Sequence, residues 1–173
     1  MYLFITSTLT FSDLGRRLLI LSWATYDIEG NQIEDIQEYL FKPVDFIIPI
    51  DHQKKLNISQ QQALEHGDYS FTILSEFEKA INNAVLIVAF GIEMQLNTIL
   101  NEFYINGLET NVELKARQCL QSGLNIRNYC SSVGGSSMSL ESLHFSLFWG
   151  NDDLSEIDCM VKCFFHLLRK KAI

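Results

Sequence analysis

Apolar and polar positions along this chain form short runs first and helical stripes later. Residues 2–6 (Tyr-Leu-Phe-Ile-Thr) read as a short buried strand, and residues 18–27 as a second, apolar and aromatic one. Glu29-Gly30-Asn31 carries turn chemistry, and a third strand is expected over residues 38–42, giving a hairpin-like meander. Pro43 and Pro49 bracket an irregular segment. Ser59 predicts the N-cap of a short helix through Glu65, closed by Gly67. Ser70 predicts the cap of a helix through Asn82, with Phe71, Leu74, Phe77, Ala80 and Ile81 at helical spacing.

Residues 85–90 are a continuous apolar run between polar neighbours, the mark of a strand covered on both faces. Ile92, Leu96, Ile99, Leu100 and Phe103 then share one stripe of a helix that ends at Gly107. Residues 111–120 fit a strand or a short helix equally. Residues 131–137, rich in Ser and Gly, read as a surface loop. Ser139 and Ser142 open a helix carrying Leu140, Leu143, Leu147 and Phe148, stopped by Gly150. A last helix over 154–170 has apolar residues at 157, 160, 161, 164, 165 and 168, and its basic end suits the helix dipole. Strands followed by helices alternating with strands imply a mixed sheet flanked by helices.

The 173 residues fit one domain, with 47% apolar and 20% charged residues, as in a soluble globular protein. No apolar run approaches the roughly 20 residues needed to cross a bilayer. The chain opens Met-Tyr-Leu-Phe-Ile without a basic region, so no secretory signal is expected. Cys159 and Cys163 share a helix face, but the spacing is not that of a zinc site. Buried free thiols in a reducing cytoplasm are the expectation for these and for Cys119 and Cys130. A net charge of −8 opposes strong unaided binding to a polyanion.

Six segments, in order, resemble the DEDDh exonucleases, the family of the proofreading epsilon subunit of bacterial DNA polymerase III. Residues 2–10 look like the family's first strand, Phe-Asp-Thr-Glu-Thr-Thr. Leu21-Ser22-Trp23-Ala24 with Tyr26-Asp27 and Gly30-Asn31 is similar to its second strand and turn. Leu56-Asn57-Ile58-Ser59 through Gly67 resembles its His-Gly-Ile-Thr segment, and Val88-Ala89-Phe90-Gly91 through Leu96 resembles Val-Ala-His-Asn-x-x-Phe-Asp. Ser139-Leu140-Glu141-Ser142-Leu143, then Leu147-Phe148 and Gly150, fits the helix before the last motif. Residues 151–156 with Lys162-Cys163-Phe164-Phe165 resemble His-x-x-x-x-Asp and its helix. The resemblance spans almost the whole chain. It implies an α/β, ribonuclease H-like exonuclease fold, a five-stranded mixed sheet flanked by helices, as a single domain over 1–173.

Carried across position by position, the family's working residues are mostly missing. Its first-strand Asp falls on Thr6 and its Glu on Thr8. Its helix Asp falls on Gln95, its general-base His on Asn151, and only Glu156 keeps a carboxylate. Such exonucleases use a pair of Mg²⁺ or Mn²⁺ ions, and Mg²⁺ demands hard, charged oxygen ligands. Asn151 takes up no proton near neutral pH. The resemblance therefore implies no catalytic residue, no bound metal and no cofactor. Thr6 and Thr8 are otherwise ordinary strand residues. Glu93, two residues from Gln95 on a helix, is expected to face away from the site.

Leu56, Asn57, Phe90 and Gly91 replace polar cleft residues of the family, which implies that the cleft is filled or covered. The function implied is a catalytically inactive exonuclease-like domain. It serves as a protein-interaction or scaffold module in a nucleic-acid-processing complex, in the cytoplasm. A protein partner is expected, a second copy of the chain among the candidates. Nucleic acid is expected to bind only weakly without help, and no membrane is involved. One alternative is a non-cleaving binder of a 3′ end or single strand, with Tyr69, Phe71, Tyr104 and Trp149 as stacking candidates that otherwise belong to the core. The other is an active nuclease with ligands rearranged to Glu156, Asp153 and Asp13.

Overall fold

The computed structural model describes residues 1–13, 15–121, 123–134, 139–150 and 153–173, the side chain of Leu124 excepted. Two long strands, β1 (Tyr2–Ser12) and β2 (Gly15–Tyr26), form an antiparallel hairpin paired along its length, with a bulge between Thr8 and Leu9. β1 thus runs six residues past the strand expected from the apolar run alone, because pairing with β2 continues to Ser12. β3 (Gln37–Leu40) pairs antiparallel to β2. The turn before it is closed by Asp27, whose Oδ1 accepts the backbone N–H groups of Glu29, Gly30 and Asn31 at 2.8–2.9 Å.

Three helices follow: α1 (Ile50–Leu56), α2 (Gln60–His66) and α3 (Ser70–Asn83). Ser59 caps α2 in a reciprocal box with Gln62. Tyr69, not Ser70, occupies the cap of α3 and offers it no side-chain bond. β4 (Leu86–Ala89) then lies parallel to β1, and α4 (Ile92–Ile105) leads through a short 3₁₀ turn at Val112–Leu114 to β5 (Ala116–Cys119). The undecided stretch 111–120 therefore holds both a helical turn and a strand, the latter parallel to β4. α5 (Leu124–Ser132), α6 (Leu140–Phe148) and α7 (Glu156–Arg169) complete the chain.

The sheet order is β3-β2-β1-β4-β5. One face packs on α3 and α4 through Leu3, Ile5, Trp23, Ile87, Phe77, Leu96 and Ile99. The other packs on α5, α6 and α7 through Phe4, Ala24, Val88, Leu143, Met160 and Phe164. β4 is covered on both faces, as its apolar run predicts. A third, small cluster of Leu19, Ile48 and Ala63 sits under α1 and α2. Two helices escaped the sequence pattern. α1 buries no residue, and α5 shows two buried anchors among its described side chains, Ile126 and Cys130. Ser131 and Ser132 close α5 instead of opening a loop, and the loop positions 135–137 lie outside the described residues. No disulfide joins the four cysteines, and Cys130 and Cys163 are buried.

Candidate functional site

The register of the sheet brings the site together. Thr6 pairs with Ser22, and Ser22 with Glu38, so these three stand in a row across β1, β2 and β3; Thr8 pairs with Ile20 in the next row. The N-terminus of α7 comes down over this row. Ser155 caps that helix by accepting the N–H of Asp158 at 3.1 Å, which sets Glu156 in its first turn. The result is a pocket of about 120 Å³ lined by Thr6, Thr8, Ser22, Glu38, Ser155 and Glu156, with Ile20, Ile36 and Ile157 as its apolar walls.

Of the positions carried over from the family, Thr6, Thr8 and Glu156 meet here. Asn151 lies outside the described residues. Gln95 does not line the pocket. It is buried, its Nε2 donates to the carbonyl of Phe90 at 2.7 Å, and its Oε1 accepts from Ser7 at 3.3 Å. Ser7 alternates with Thr6 and Thr8 along β1 and so points to the opposite face of the sheet. A carboxylate at 95 has no proton to give Phe90, so the amide suits a structural tie between α4, β1 and the end of β4. Glu93 does face away, reaching Arg117 at 3.7 Å on the surface.

Glu38 is the site residue that the sequence did not reveal. It accepts a hydrogen bond from Ser22 Oγ at 3.1 Å. Its place depends on the register of β3, which the intervening loop fixes and the apolar pattern does not. Glu156 behaves differently. Its side chain reaches solvent, yet the surrounding protein removes enough water to push the carboxyl above its ordinary range, and the charge of Glu141 adds to the rise. Glu141 itself is held low by its own backbone N–H and then by the Ser139 hydroxyl. Asp153 is exposed, and Asp13 sits at the hairpin tip in a separate groove, so neither joins Glu156 in the pocket. Among the described residues no group of three or more His, Cys, Asp or Glu side chains is arranged to hold a metal ion.

Two of the four cleft replacements have a backbone cause. Asn57 ends α1 at φ 53°, and Gly91 precedes α4 at φ 71°. Asn and Gly are the residues that tolerate this left-handed region. Asn57 and Gly91 thus serve two turns of this backbone and do not fill a cleft. Leu56 and Phe90 do fill space, Leu56 against the cluster of Leu19 and Ile48, Phe90 against the α7 face.

No protein-family model matches the chain, and no curated protein matches its sequence. Solved structures do. Product-bound exonuclease I superposes with a TM-score of 0.79 at 14% identity, covering 99% of this chain and 44% of that one. E. coli exonuclease I with a 5cy-dT13 oligonucleotide gives 0.80 at 15%, covering 98% and 40%. The chain has the exonuclease I fold. An exonuclease I complex with SSB-Ct gives 0.78 at 16%, covering 98% and 41%. The chain thus spans about two fifths of the length of these exonuclease I chains, and its five-stranded mixed sheet flanked by helices is the ribonuclease H-like fold that the sequence resemblance implies.

The four aromatic stacking candidates are not core residues. Tyr69 and Phe71 are each 60% exposed, Trp149 70% and Tyr104 84%. Lys42 Nζ lies 4.9 Å from the centre of the Tyr69 ring. No helix among the described residues is long and apolar enough to cross a membrane.

Proposed function

We infer that this chain is a catalytically inactive exonuclease-like domain, acting as a protein-interaction or scaffold module within a nucleic-acid-processing complex. One observation carries the reading. Where β1 meets α7, the pocket offers, among the described residues, the hydroxyls of Thr6, Thr8 and Ser22 and the carboxylates of Glu38 and Glu156. Of these, Glu38 is tied to Ser22 and Glu156 is shifted toward its neutral form. Two-ion phosphodiester chemistry requires several charged oxygens bridging a pair of hard cations. The side chains described here do not fit such a centre.

Exonuclease I is seen with SSB-Ct and with oligonucleotides, which supports both a protein and a nucleic-acid setting for a chain of this fold. The charge of −8 favours a basic partner protein over bare nucleic acid. A second copy of the chain is the simplest alternative partner, and light scattering distinguishes the two. Four cysteines without a disulfide suit a reducing, cytoplasmic setting. The direct test is digestion of an end-labelled single-stranded oligonucleotide with Mg²⁺ or Mn²⁺. No EDTA-sensitive shortening is expected. Cleavage that disappears in Glu156→Gln would overturn the reading.

A non-cleaving single-strand binder is the second reading, favoured by the exposed Phe71 and by the exposed Tyr69 with Lys42 over its ring. Titration of fluorescent single-stranded DNA at low salt decides it. Binding weakened by Phe71→Ala supports it, and no binding removes it.

A further inference from the structure

The pocket under the N-terminus of α7 holds negative charge that its own lining does not balance. Glu38 and Glu156 line it, and among the described residues no Lys, Arg or His does. Other acids of this chain have a cation at hand: Glu102 has Arg17, Glu76 has Lys79 and Glu93 has Arg117. Glu38 receives only the neutral Ser22 hydroxyl, at 3.1 Å. Glu156 has no ion pair and no hydrogen bond to a described side chain. Glu141 on α6 stays ionised and repels Glu156. The positive end of α7 amounts to about half a charge and is already met by Glu156 and Asp158 in its first turn. Lys162, the next basic residue along that helix, stands about 9 Å further down its axis and does not line the pocket.

A second observation is independent of these charges. Thr6 lines the pocket and is 7% exposed, yet its hydroxyl has no hydrogen-bond partner among the described residues. Buried hydroxyls are ordinarily paired, so this one is free to accept from a donor that enters. Ile20, Ile36 and Ile157 give the same pocket apolar walls, the surface along which a long basic side chain lays its stem. Glu38, Ser155 and Glu156 are exposed, which leaves the mouth open to another molecule. The volume of about 120 Å³ admits one extended side chain and excludes a whole helix or strand.

We propose that this pocket receives one lysine or arginine side chain of a partner protein, its charged head against Glu38, Glu156 and the Thr6 hydroxyl and its stem along the isoleucines. The proposal rests on the interaction-module reading and names the group that the partner presents. One positive charge with several N–H donors suits two carboxylates and a hydroxyl. A pair of hard dications asks for more charged oxygen than this wall offers. The net charge of −8 sets two copies of the chain against each other, so the complementary occupant is a separate, basic protein.

The test is an amide NMR titration of the whole chain with a capped Gly-Lys-Gly peptide and with its arginine counterpart. A norleucine version keeps the stem without the charge, and potassium chloride at equal ionic strength supplies a bare cation. Both basic peptides should shift residues 6, 8, 22, 38 and 155–157, with a dissociation constant of about a millimolar. Glu38→Gln and Glu156→Gln keep the shape of the wall and should each weaken binding about tenfold. Thr6→Val should weaken it about threefold. No shift with either basic peptide, equal shifts with the norleucine peptide or potassium chloride, or affinity unchanged in both Gln variants would overturn the proposal. So would a dimer of the chain that Glu38→Gln dissolves. A chain that cuts DNA yet takes the lysine peptide removes only the inactive-module reading. A partner protein found by other means and indifferent to both Gln variants sinks the pocket and spares that reading.

Discussion

At the scale of single residues, two charged groups have opposite lessons. Burial works against the charge of Arg17, but its bonds to Glu102 and Asp45 outweigh this and raise its pKa. Glu102 also accepts the N–H of Leu18 at 2.9 Å, and it is fully buried. Arg17→Met should therefore destabilise the chain by about 3–5 kcal/mol, because Glu102 is left as an uncompensated buried charge. Adding Glu102→Leu should recover much of that loss, and a double-mutant cycle in urea measures the coupling. Arg17 is 1% exposed, so it contributes to no phosphate-binding face.

Glu156 contributes a pH dependence of its own. Its place in the first turn of α7 would by itself favour the anion, but burial and Glu141 win and raise its pKa. The folded chain then holds this proton more tightly than the unfolded chain. The resulting stability is present at acid pH and lost as pH rises through the raised value. Glu156→Gln should accordingly raise the melting temperature at pH 7, with the gain fading to nothing by about pH 4. A gain that grows toward acid pH would have the wrong sign.

Among the elements, legibility follows burial. β4 and α4 bury whole runs or stripes and were expected within a residue or two. α1, with its apolar positions spread over Ile50 and Leu56 and none buried, gives no periodic signal; glutamine side chains hold it instead. The capping signals at Ser59 and Ser139 both stand as reciprocal boxes, since a cap is a local event that sequence encodes directly. Gly67 was legible as the end of α2, but its reason was not. A Cβ there would collide with the carbonyl of Ala63 and lie 2.8 Å from the backbone N of Lys42. Gly67→Ala should cost about 1–3 kcal/mol in chemical denaturation, through backbone that cannot give way.

For the whole molecule, the order of motifs along the chain was enough to expect the five-stranded mixed sheet, and the superposition on exonuclease I shows that fold. The site was legible only in part. Thr6, Thr8 and Glu156 meet as the resemblance implies. Glu38 joins them through a strand register that no local pattern contains, and Gln95 turns to the other face of the sheet. What decides function is the charge left in that pocket. A titration of the chain with Mn²⁺, followed by calorimetry or paramagnetic resonance, measures this directly. No saturable binding at micromolar metal is the predicted result. Two ions bound per chain at micromolar metal, and lost in Glu38→Gln or Glu156→Gln, would contradict it.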